Sequence, residues 1–78
     1  MSPNELFRLQ RKRPFEPYRL YLTDGSYFDV MHPEMMMVSV RTSVIGVPNL
    51  RNSEIPEELA YVDNLHITKI VPLTAITA

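Results

Sequence analysis

The sequence predicts a mainly β fold with one N-terminal helix, closed as a small five-stranded barrel. Three observations carry this prediction. Residues 17–33 alternate as a hairpin around Asp24-Gly25. Short β-patterned runs recur behind them, punctuated by Pro, Asn, Asp and Gly. Only residues 3–12 read as a helix, and about five short bent strands with one helix fold most simply as a curved, closed sheet. An open α+β sheet with the helix on one face is the plainer alternative.

The helix starts at Ser2-Pro3-Asn4-Glu5. Ser2 is placed to cap, Pro3 suits the first helical position, and Glu5 completes a capping box. Leu6 and Leu9, with Phe7 beside them, give a narrow apolar stripe, and Pro14 stops the helix. Ten residues are too few to be helical alone, so the stripe must dock. Arg11, Lys12 and Arg13 sit where cations favour the helix dipole. Phe15, between Pro14 and Pro17, plugs the seam between helix and sheet.

In the first strand Tyr18, Leu20 and Leu22 alternate with Arg19, Tyr21 and Thr23. Asp24-Gly25 supplies a two-residue turn, because Gly tolerates the positive φ it requires. The return strand puts Phe28 and Val30 on one face and Tyr27, Asp29 and Met31 on the other; His32-Pro33 ends it. Met35 to Val47 reads as a long third strand region, interrupted by a bend or tight turn at Thr42-Ser43; its three consecutive Met are adaptable groups that suit core or interface packing, with a Met-rich binding surface as the lesser reading. Residues 48–58 form a polar, mobile loop inserted between strands. Leu59–Asp63 is the fourth strand and His66–Pro72 the last, with Ile67 and Val71 on one face and His66, Thr68 and Ile70 on the other.

Composition bounds the function. Seventy-eight residues make one domain, and Leu, Ile, Val and Phe at about 29% are enough to fold. A core this small rarely supplies more than about 3–5 kcal/mol. With no Cys, disulfides and thiolate metal sites are excluded, which leaves oligomerisation as the supplement. No apolar run reaches membrane-spanning length and no signal peptide is evident, so the expected location is cytoplasmic. The net charge of −1 divides into +3 over residues 1–19 and −4 over residues 20–78.

No serine lies in a nucleophile motif, no Gly-rich phosphate loop exists, and a His32–His66 metal site lacks a third ligand. The expectation is a non-catalytic protein without metal or cofactor. Arg8, Arg11, Lys12 and Arg13, with Tyr18, Tyr21 and Tyr27 as stacking groups, suit single-stranded nucleic acid. A protein-interaction or assembly module without nucleic-acid binding is the competing class. Tyr61, Val62, Ile67, Ile70 and Val71 in the final strands are more apolar groups than one interior face needs, so they are the expected oligomer interface. Pairing the fourth strand of one subunit with the last strand of the next would cover both edges and close a ring, though a simple twofold dimer would also cover an edge.

This order of elements also resembles the Sm-like family and its bacterial, Hfq-like branch. Leu22–Phe28 looks like the Leu-x-Asp/Asn-Gly turn of the first Sm motif, and His66–Pro72 is similar to the end of the bacterial Sm domain. The resemblance implies an Sm-like/SH3-like barrel and a homo-oligomeric ring binding single-stranded RNA. Tyr27, His32 and His66 then join the basic cluster as hypothetical RNA contacts. The chain also resembles a short uncharacterised bacterial family built around Arg-Pro-Phe-Glu-Pro (13–17), Leu-Thr-Asp-Gly (22–25), His-Pro-Glu (32–34) and Leu-His-Ile-Thr (65–68), which implies no activity.

Overall fold

In the computed structural model, which describes residues 1–52 and 54–76, the helix α1 spans Pro3–Arg11. Its start follows from side-chain chemistry. The Ser2 hydroxyl accepts the Glu5 N–H at 3.2 Å and donates to Glu5 Oε1 at 3.1 Å, the reciprocal capping box. Leu6 and Gln10, one turn apart, are its buried residues.

Six strands follow: β1 (Tyr18–Leu22), β2 (Tyr27–Val30), β3 (Met36–Val38), β4 (Thr42–Val47), β5 (Glu58–Asp63) and β6 (Ile67–Pro72). They form two separate antiparallel three-stranded sheets, ordered β2–β1–β6 and β3–β4–β5. The expected closed five-stranded barrel is therefore not the fold. Of the bend or tight turn expected at Thr42-Ser43, the structure has the turn, just before those residues: the region is a hairpin, β3–β4, with Met36 opposite Ile45 and Val38 opposite Ser43. The chain reverses at Ser39–Arg41, where the Ser39 N–H donates to Thr42 O at 3.0 Å and the Ser39 hydroxyl to the same oxygen. A bend would have let one strand serve both halves of a barrel. A reversal gives β4 the centre of its own sheet.

That reversal contains no Gly, Pro or Asn. It is held from a distance by Asn64, which is buried. Its Nδ2 donates to Ser39 O at 2.8 Å and Val40 O at 3.4 Å, its Oδ1 accepts from Ser43 Oγ at 2.7 Å, and its backbone N–H reaches Arg41 O at 2.7 Å. A side chain 25 residues away thus supplies the partners that a turn residue would otherwise supply.

The first hairpin forms as expected, but its loop is longer. Tyr21 faces Tyr27 and the Leu22 N–H donates to Ser26 O at 2.8 Å, so Thr23, Asp24 and Gly25 make a three-residue loop. Gly25 sits at φ +88°, the left-handed position of such loops. The last strand also differs. The β1–β6 register shifts between Tyr21 and Leu22, which leaves Thr68 as an extra residue, and its hydroxyl donates to Tyr21 O at 3.2 Å. The bulge switches the alternation. Ile67 and Ile70 point to the interior, in place of the expected pairing of Ile67 with Val71.

The inner faces of both sheets and the underside of α1 enclose one core: Leu6, Tyr18, Leu20, Val30, Met36, Ile45, Val62 and Ile67. Phe15 packs against it, its ring centroid 5.9 Å from that of Tyr18, the seam position expected for it. Gln10 ties the three layers together. Its amide donates to Pro33 O and, at 2.9 Å, to Met36 O, while its Oε1 accepts from Tyr18 OH at 2.8 Å. Among the described residues no buried side-chain polar atom lacks a partner. Burial pushes the Tyr18 phenol well above its ordinary pKa, so it remains a donor. Among the described residues no helix is long and apolar enough to cross a membrane.

Candidate functional site

Antiparallel alternation sends every second residue outward, so each sheet has an outer face, and the two faces differ. On β2–β1–β6 the outward residues include Arg19, Tyr21, Tyr27, Asp29 and Lys69. Arg19 grips Asp29 with two parallel bonds, Nε to Oδ1 at 2.7 Å and Nη2 to Oδ2 at 3.1 Å. The bond to Asp29 holds the guanidinium still more firmly protonated. The same guanidinium lies 3.9 Å from the Tyr27 ring centroid, Tyr27 packs 5.9 Å from Tyr21, and Lys69 caps the Tyr21 ring at 4.8 Å. Arg19, Tyr27, Tyr21 and Lys69 are thus coupled into one ladder.

On β3–β4–β5 the outward residues are apolar. Met37, Val44 and Tyr61 lie directly opposite one another across the three strands, and Leu59 follows Tyr61 on the same face. Met37 is 74% exposed, Tyr61 73% and Leu59 54%. At the Gly46 end the face is covered by the chain itself. A Cβ on Gly46 would stand 2.9 Å from Met35 Sδ and 3.1 Å from Pro56 Cβ, so glycine there lets Met35 and Pro56 lie on the sheet. That segment is shaped by side-chain turns, with Asn49 Oδ1 accepting the Arg51 N–H and Asn52 Oδ1 the Glu54 N–H, each at 2.9 Å. The Met37 end stays open. Grooves adjoin it on both sides: one between α1 and β3 includes Phe7, Glu34 and Met37, and one over the sheet includes Glu34, Val44, Glu54 and Leu59.

The chain matches no family model, no curated protein and no solved structure. The site must therefore be read from its own geometry.

The residues expected to contact RNA do not converge. Arg8 is exposed on α1. Arg11 lies over Phe7 at 5.3 Å, Lys12 pairs with Glu16, and Arg13 Nη1 donates to Gln10 O at 2.9 Å and Lys12 O at 2.8 Å, so two of the four cations already have polar partners. Tyr27 carries Arg19 on its ring. His32 follows the far end of β2, whereas His66 stands by the first hairpin, its Nδ1 3.2 Å from Thr23 Oγ1. Tyr18 is buried and offers no stacking surface.

Of the expected interface residues, Tyr61 is exposed, Ile70 and Val71 are half-buried, and Val62 and Ile67 belong to the core. Alternation takes Val62 inward beside outward Tyr61, and the Thr68 bulge does the same for Ile67. Sequence reading gave the Met run a binding surface only as the lesser reading, and it missed Val44 and Leu59 as surface groups. Their signal was present: Met36-Met37, Val44-Ile45 and Tyr61-Val62 are adjacent apolar pairs, and a strand with one buried face must send one member of each pair outward.

The geometry assembles little chemistry. Thr23 Oγ1 meets His66 Nδ1, but the nearby Asp24 carboxylate is bonded to Ser26, through the backbone N–H at 2.9 Å and the hydroxyl at 2.6 Å, and not to the imidazole. No base is oriented on an exposed hairpin end of this kind. Among the described residues no three His, Asp or Glu side chains gather as a metal set. A cleft of about 400 Å³ between α1 and β6 is floored by Leu9, Tyr18 and Ile70, with the Lys12–Glu16 pair at its lip.

Proposed function

We propose that this chain is a non-catalytic protein-interaction and assembly module whose contact surface is the outer face of β3–β4–β5. One observation carries the reading: Met37, Val44 and Tyr61 form an in-register apolar row across a whole sheet, with Met37 and Tyr61 each about three-quarters exposed. Scattered exposed apolar residues are ordinary, whereas a contiguous row on a flat sheet is the feature of a surface meant to be covered. Met and Tyr suit such a role, because Met adapts its shape and Tyr brings a large rigid contact area at low entropic cost. The core beneath is small, so covering this face also supplies burial that the fold lacks. The single-stranded RNA reading has less behind it. Its cations are dispersed around α1 and the residues after it, Lys12 and Arg13 already have polar partners, and the net charge is −1.

The test is photo-crosslinking with benzoyl-phenylalanine at position 61, with position 27 on the other sheet as control, in cells producing the full chain. Discrete adducts from position 61 and none from position 27 are expected. No adduct from position 61 would overturn the reading.

A further inference from the structure

We propose that the occupant of this face is a second copy of the chain, which lays the exposed side of its α1 across the face in a reciprocal, twofold dimer. This rests on the reading of the β3–β4–β5 face as a contact surface, and it adds the partner and the pairing.

Charge points to the partner. Residues 31–63, which contain the second sheet and its loop, carry five acids and two arginines, net −3, while the rest of the chain is net +2. The acids nearest the apolar row are Glu34 and Glu54, which line its groove, and among the described residues neither enters an ion pair. The matching cations are on α1. At 100° per residue Phe7, Arg11 and Arg8 follow one another around the exposed side of the helix, away from buried Leu6, with Phe7 toward the β3 groove and Arg8 toward the β6 cleft. Arg8 enters no ion pair among the described residues, and Arg11 rests only on the Phe7 ring at 5.3 Å. Phe7, 48% exposed, is an apolar knob at the β3-side edge of this cationic stripe, and the sheet face is an apolar row whose groove holds two carboxylates. One surface is the complement of the other.

Position decides the symmetry. Phe7 and Met37 line the same groove between α1 and β3, so the edge of the helix surface adjoins the edge of the sheet face. Two copies related by a twofold axis therefore exchange helices: the α1 of each covers the sheet face of the other, and both contacts form at once. The assembly closes at two chains. A face-to-face pairing of identical sheets would instead bring Glu34 and Glu54 of both copies together. The four charges set register and discriminate against that alternative, while the apolar groups supply the affinity.

The experiment is light scattering and sedimentation on three full-length proteins and one mixture. The wild type is expected at twice the 9.1 kDa chain mass at micromolar concentration. Arg8→Glu/Arg11→Glu and Glu34→Lys/Glu54→Lys each set like charge against like, and each is expected to raise the dimer dissociation constant at least about tenfold. Their equimolar mixture restores both contacts with signs reversed, so it regains the two-chain mass. All four positions are exposed, and an unchanged circular dichroism spectrum controls for folding. A monomeric wild type up to hundreds of micromolar, variants that dimerise like the wild type, or a mixture that stays monomeric would each overturn the proposal. A monomeric wild type whose position 61 still crosslinks to a different protein would sink the second-copy partner alone. A monomer without any adduct would remove the contact-surface reading as well.

Discussion

The two sheets have the same size, the same antiparallel order and a shared core, yet their outer faces are opposites. On β2–β1–β6 every outward side chain in the ladder answers another: Asp29 and Tyr27 hold Arg19, Tyr27 packs on Tyr21, and Tyr21 takes Lys69. On β3–β4–β5, Met37, Val44 and Tyr61 touch water where the ladder would touch itself. Aromatic and cationic groups are therefore poor guides to function in this chain when taken one by one. What distinguishes a working surface is the absence of internal partners, and by that measure the second sheet is the unfinished one.

The inner faces should not share this asymmetry. Leu20 of the first sheet and Ile45 of the second are both fully buried in one core. Leu20→Ala and Ile45→Ala should each cost about 2–5 kcal/mol in urea unfolding, and each should shift a single cooperative transition. Two resolved transitions, or a loss confined to one sheet, would show that the sheets are separate units and that the comparison is between two domains.

The outer faces should then part company. Arg19→Leu leaves Asp29 without its cation and uncovers the Tyr27 ring, so it should lower the melting temperature of the monomeric chain. Met37→Ser and Tyr61→Ser remove only exposed apolar surface and should leave that stability within about 0.5 kcal/mol of the parent while weakening association. The measurement is thermal unfolding at concentrations below and above any dimer dissociation. If the serine variants destabilise the dilute monomer as much as Arg19→Leu does, the row is structural and the contrast between the faces fails.

Local chemistry explains which elements could be read from the sequence. The α1 start is written within four residues by Ser2, Pro3 and Glu5, and the first hairpin by Asp24 and Gly25. The β3–β4 reversal could not be read in this way, because Ser39-Val40-Arg41 has no Gly, Pro, Asn or Asp, and beyond the bonds of Ser39 to Thr42 it is held by Asn64. The Thr68 bulge was equally silent, since a one-residue slip in alternation shows only against a partner strand. Those two features account for the difference between a barrel and two sheets. The candidate surface was half legible: adjacent apolar pairs mark strands with two apolar faces, but only the hairpin reversal puts Met37 beside Val44.

The smallest effect lies at the tip of the finished sheet, and its sign sharpens the comparison. The Asp24 carboxylate accepts from the Ser26 hydroxyl at 2.6 Å and from the Ser26 N–H at 2.9 Å. These bonds, with a weaker contribution from His66 just before β6, hold the carboxylate below its ordinary pKa. A group whose pKa is lower folded than unfolded binds protons more readily in the unfolded chain. Its stabilisation is therefore fully present above the unfolded value near 3.8 and is lost as pH falls through the folded value. Asp24→Asn keeps an oxygen that can accept the Ser26 N–H but discards the charge. The variant should consequently be slightly less stable than the wild type at neutral pH, and the gap between their melting temperatures should close as the solution is acidified below the ordinary carboxylate range. Tyr61→Ser, on the apolar face, replaces no ionising group there, so its difference from the wild-type monomer should stay flat over the same range. A gap for Asp24→Asn that is constant with pH would mean that the turn is held by its shape alone, with Gly25 rather than the carboxylate fixing the hairpin.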